Sequence, residues 1–144
     1  MRIAHNLYNQ TVSVSRRYSR LKAVFESFYA GGQHLIEQRS QLENFVFEPS
    51  LENNYFDALF MGMRIQFLFV PFYDGNGALQ GNVFCSRCHP RFSENPLLIG
   101  SFKFDAQGVT DFEVDEGQDR LGIEYSAPEI ILHFINQALI TPMQ

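Results

Sequence analysis

Two four-residue boundaries constrain this chain more than any other feature: Asp74-Gly75-Asn76-Gly77 and Asp105-Ala106-Gln107-Gly108, each set between runs of apolar residues. An aspartate that opens a tight turn and a glycine that closes it in the left-handed region form the signature of a β-hairpin with a one-residue bulge. Because side chains alternate along a strand, such a turn fixes which residue faces which on the two arms. If Asp74 pairs with Ala78, Cys85 falls opposite Phe67, on one face with Val83 and Phe69. If Asp105 pairs with Val109, Phe102 falls opposite Phe112, and Phe104, Phe102, Phe112 and Val114 share a face. A two-residue loop at the second turn sets Phe102 against Asp111 and mixes the faces, so the bulged register is preferred.

The strands flanking these turns run over about 63–73, 78–88, 97–104 and 109–116, an antiparallel meander of about four strands. The first carries apolar side chains on both faces from Phe67 to Phe72, which predicts cover on both sides, by helices or by a partner. Pro71 lacks an N–H for a ladder and marks an edge or a bulge. That register turns Lys103 of the third strand and Asp111, Glu113 and Asp115 of the last to solvent. The acidic run that follows is no calcium loop, since counting from Asp111 puts Glu116 where an EF-hand needs glycine.

Helices bracket the meander. Val14, Tyr18, Leu21, Phe25, Phe28, Leu35, Leu42 and Val46 recur in steps of four and three except where Gly32 and Arg39 occupy the stripe, predicting one long helix over about 12–46. Unbroken, it would be about 50 Å long, more than a compact domain of this size holds. Gly31-Gly32 near its middle predicts a kink, a break or a close helix contact. One half of the helix can also extend past the domain and pack on a second copy. At the other end Ser126, Pro128 and Glu129 form a capping-box start for a helix over about 127–140, ending before Pro142. Residues 50–60 read equally as short helix or irregular segment. The whole is a single α+β domain.

Charge is unevenly spread. Residues 1–40 carry six basic and two acidic side chains, while the other 104 carry five basic and fourteen acidic ones, for a total of −5. A negative protein repels phosphate overall, which argues against a nucleic-acid partner. The asymmetry is better read as the basic end, with Arg16, Arg17, Arg20 and Lys22, lying against the acidic end, within one chain or across a dimer. No apolar run is long enough to span a membrane and the N-terminus lacks the apolar segment of a signal peptide, so the expected compartment is the cytoplasm.

The most chemical string is Cys85-Ser86-Arg87-Cys88-His89, whose pattern suits haem attachment, a redox dithiol or half a zinc site. On an extended strand the two cysteines point to opposite faces about 10 Å apart, too far for a disulfide. No helix start follows to activate a thiol, and no second cysteine pair completes a zinc site. Cys85, Cys88 and His89 therefore remain weak metal candidates, Cys85 reading as a small core residue, and no cofactor is expected. His34, Arg64 and Tyr73 are the polar candidates for a pocket between sheet and helices. Without a catalytic constellation, the chain reads as a binding or assembly module that homodimerises or takes a protein partner through aromatic-rich helix and sheet surface. The alternative is a small enzyme or carrier of a small apolar ligand.

Overall fold

In the computed structural model, which describes residues 2–38, 42–88, 96–111, 122–123 and 126–141, a helix α1 (Arg2–Gln38) precedes five strands and a closing helix α2 (Ala127–Ile140). The strands β1 (Phe45–Ser50), β2 (Tyr55–Phe60), β3 (Met63–Tyr73), β4 (Leu79–Cys88) and β5 (Leu97–Phe104) form one antiparallel sheet in sequence order. The expected α+β meander between two helices is what forms, with one strand more than anticipated.

Both turn-derived registers hold. The Asp74 N–H donates to the Ala78 carbonyl, Gly77 has φ +77°, and Cys85 pairs with Phe67. The Asp105 N–H donates to the Val109 carbonyl, Gly108 has φ +83°, and Phe104 bridges to Thr110. Each aspartate carboxylate accepts from two backbone N–H groups of its own turn, Asn76 and Ala78 for Asp74, Gln107 and Val109 for Asp105. The expected strand over 109–116 is seen only in the bridges of Val109 and Thr110, and its part from 112 lies outside the described residues.

The N-terminal half departs from expectation in two ways. Residues 45–46 belong to a strand rather than to the end of a helix, and 55–60 form the strand that pattern alone left undecided. Also, α1 starts ten residues earlier than anticipated and runs without interruption through Gly31-Gly32. Gly32 serves a close helix contact: a Cβ there would stand 2.3 Å from Ile131 Cδ1 on α2. At α2, Ser126 makes no side-chain cap, because its ψ of 16° keeps it out of the extended geometry from which a hydroxyl reaches back. Its carbonyl accepts instead from the Ile130 N–H.

Both helices lie on one face of the sheet. Alternation puts Phe47, Phe56, Ala58, Ile65, Phe67, Phe69, Val83, Cys85, Phe102 and Phe104 on that inner face, all buried. Phe25 of α1 meets Phe56 and Phe69 at centroid distances of 5.6 and 5.4 Å, and Phe28 meets Phe102 at 5.6 Å. Phe134 of α2 stacks on Phe102 at 5.9 Å. These rings fill the layer between sheet and helices with offset and edge contacts, and their burial is the main stabilising term of the fold.

Candidate binding surfaces

No helix among the described residues lies against the outer face of the sheet. Its side chains follow from the same alternation: Val46, Glu48 and Ser50 on β1, Tyr55, Asp57 and Leu59 on β2, and Arg64, Gln66, Leu68, Val70 and Phe72 on β3. On β4 they are Gln80, Asn82, Phe84, Ser86 and Cys88. Tyr55 pairs with Leu68 and Leu68 with Phe84, so an apolar row crosses the three central strands. Val70 is 37% exposed, and Val46 and Leu98 at the two edge strands are both 57% exposed. Phe72 is capped by the Lys103 ammonium, 5.3 Å above its ring.

Beside the apolar row sits a polar cluster. Arg64 Nη1 donates to Asp57 Oδ2 at 2.6 Å and to Glu48 Oε2 at 3.0 Å. Asp57 is buried, and its Oδ1 finds no donor. Burial raises its pKa from 3.8 despite the lowering effect of the Arg64 hydrogen bond and charge, and Glu48 adds a smaller push upward. Cys88 stands opposite Arg64 on β4. Its thiol pKa is raised by partial burial and by the Asp57 carboxylate, with Arg64 working the other way. This is a protonated thiol, the opposite of an activated nucleophile.

A second exposed surface belongs to α1. The first of its residues packed on the core is Tyr18, which stacks on Phe69 and whose hydroxyl meets the Asn54 amide. From there Leu21, Val24, Phe25, Phe28, Tyr29 and Ile36 are buried. The turns before Tyr18, residues 2–16, continue α1 as an N-terminal arm about 22 Å long. Leu7 and Tyr8 on it are 56% and 68% exposed. Where the arm begins, Arg17 and Arg20 line an open hollow of about 420 Å³ with Asn76, Gly77 and Ala78 of the β3–β4 turn and Leu79 of β4. Every ion pair among the described residues belongs to Arg64, so the anticipated acidic partners of Arg16, Arg17 and Arg20 are not among them.

The sequence candidates lie apart. His34 is exposed on α1, Arg64 is on the outer sheet face, and Tyr73 is exposed at the far end of β3, nine positions or about 30 Å along the strand from Arg64. Cys85 is fully buried on the inner face, which pushes its pKa well up, while Cys88 is on the outer face, and both are unpaired. His89 lies outside the described residues, among which no three His, Cys, Asp or Glu side chains cluster as metal ligands. Sequence reasoning missed the Asp57–Arg64–Glu48 cluster, because β1 and β2 had not been read as strands. Arg87 was also missed: buried on the inner face, it donates through Nη1 to the Ala138 carbonyl near the C-terminus of α2, while Nε and Nη2 have no acceptor.

No family model, curated protein or solved structure matches this chain. No helix among the described residues is long and apolar enough to cross a membrane.

Proposed function

We propose that this protein is a non-catalytic assembly module that homodimerises through its arm and its outer sheet face. The observation that carries the reading is β3, which from Phe67 to Phe72 is apolar on both sides while the two described helices cover only one of them. An apolar row flanked by exposed Val46, Val70 and Leu98, together with exposed Leu7 and Tyr8, is surface of the kind that proteins bury in partners. The separation of His34, Arg64 and Tyr73, and the ring-filled layer between sheet and helices, favour this over a small-ligand pocket in that layer. Two unpaired cysteines suit a reducing compartment such as the cytoplasm.

Light scattering on the purified protein over a hundredfold concentration range tests the reading. A mass of twice 16.6 kDa at the upper end is expected. A monomer throughout, with a specific thermal shift from an apolar small molecule, would replace it with the carrier alternative.

A further inference from the structure

We propose that the hollow at the foot of the arm binds a small phosphate monoester, whose phosphate Arg17 and Arg20 hold. The proposal is independent of the homodimer reading, because the hollow lies between α1 and the ends of the hairpins rather than on the outer sheet face. Three walls meet there: a turn of α1, the β3–β4 turn, and Ala106 in the turn that follows β5.

The charge on one side of the hollow is uncompensated. Arg17 and Arg20 stand three residues apart on one face of α1, and neither makes an ion pair among the described residues. A second hollow of about 450 Å³ shares both side chains and adds Arg16. The carboxylates of the two turns are already engaged. Asp74 accepts from the Asn76 and Ala78 N–H groups and from the Gln80 amide, and Asp105 from the Gln107 and Val109 N–H groups. Each guanidinium is a rigid fork of N–H donors that matches phosphate oxygens two at a time. A carboxylate is filled by one such fork, whereas the terminal oxygens of a phosphate monoester can take both.

The opposite walls set the size and nature of the rest of the ligand. They are low in side-chain bulk: Gly77, Ala78 and Ala106 line the hollow, and a Cβ placed on Gly75 or Gly77 would meet nothing within 4 Å. A space of about 420 Å³ is that of a small organic ligand rather than of a bare ion. The total charge of −5 disfavours an extended polyanion, which would meet the acidic remainder of the chain. Leu79 supplies an apolar wall. Its ladder partner Tyr73 shares its face of the hairpin and is 54% exposed, a free ring against which a flat body can lie.

Titration of the isotope-labelled full chain with phenyl phosphate at low ionic strength, followed by amide resonances, tests this. Expected are shifts centred on Gly75, Asn76, Gly77, Ala78 and Ala106. Arg17→Gln and Arg20→Gln, both at exposed positions that the fold does not need, should each weaken binding about tenfold. Lys22→Gln removes a charge from the same helix but from neither hollow, and should change affinity by less than about twofold. Inorganic phosphate should bind several-fold more weakly than the ester. Equal losses from Lys22→Gln and Arg17→Gln would reduce the site to a general field, and equal affinity for inorganic phosphate would remove the organic body from the ligand. Either result overturns the proposal, as do shifts centred elsewhere or no binding at all. Binding that appears only when Glu113, Asp115, Glu116 and Asp119 are changed to their amides would give the arginines to the chain's own acidic run, and overturns it too.

Discussion

The two faces of this sheet come from the same strands and differ in what has been laid on them. Along β3 the inner residues Ile65, Phe67 and Phe69 are buried, while the outer residues Leu68, Val70 and Phe72 are apolar yet retain exposure. Along β4 the contrast repeats, with Gly81, Val83, Cys85 and Arg87 buried and Gln80, Asn82, Phe84, Ser86 and Cys88 only partly so. Hydrophobicity alone therefore does not separate the faces: the inner one is a core because α1 and α2 close it. The outer one keeps the residues of a half-finished core and adds an ion-paired cluster that a finished core would exclude.

The largest test of that contrast is truncation of one aromatic ring on each face. Phe67 is fully buried against Phe56, at 4.9 Å, and Phe134, so Phe67→Ala should cost about 3–5 kcal/mol of unfolding free energy. Phe84→Ala on the outer face should cost about 1 kcal/mol or less in dilute protein, yet weaken self-association. Urea unfolding at low and high protein concentration reads both. Equal losses in dilute protein would erase the distinction between the faces.

Arg87 sharpens it from the inner side, where a charge sits without full pairing. Its one hydrogen bond, to the Ala138 carbonyl, places a cation near the negative end of α2, a favourable position. Two of its buried nitrogens nevertheless lack acceptors. Replacing an incompletely paired buried charge by an apolar side chain of similar length is often neutral or stabilising. Arg87→Met should leave stability unchanged or raise it by about 1 kcal/mol, read by the same unfolding curves. A loss above about 2 kcal/mol would mean that the unpaired nitrogens are satisfied in solution.

The parts legible from sequence were those with one dominant local signal. Asp74 and Asp105, each followed three positions later by a glycine free to take positive φ, set two registers, and with them the burial of Cys85. Pro71 marks an edge or a bulge although β3 is central, and the edge reading is right locally: β2 pairs only as far as Leu68, so at Pro71 the strand has a paired neighbour on one side only among the described residues. The missed strands lack such a signal. The β2–β3 turn is Met61-Gly62 with φ of 54° and 78°, both positive, a hairpin geometry normally announced by Asn-Gly or Asp-Gly rather than by methionine. The β1–β2 connection is a 3-10 turn, Leu51–Asn53, closed by Asn54 at φ 66°. Leu42 and Val46 meanwhile continue the stripe seven and eleven residues past Leu35, two and three helical turns on, which drew the helix on to 46, where alternation through Phe45 and Phe47 was the better guide. The outer cluster was out of reach for the same reason, since Glu48 and Asp57 join Arg64 only when β1 and β2 are strands.

The smallest effect expected is the pH dependence contributed by Asp57, and it bears on the outer face directly. A carboxyl whose pKa is raised on folding holds its proton more tightly in the native state than in the unfolded one. Its contribution to stability is then full below the ordinary value of 3.8 and is lost as pH rises through the higher native value. Arg64 and Glu48 are partly exposed, so the amplitude should stay below about 1 kcal/mol. Compared with Asp57→Asn, which does not titrate, wild-type protein in dilute solution should lose relative stability as pH climbs upward from 3.8. A flat or rising difference would show that Arg64 outweighs desolvation.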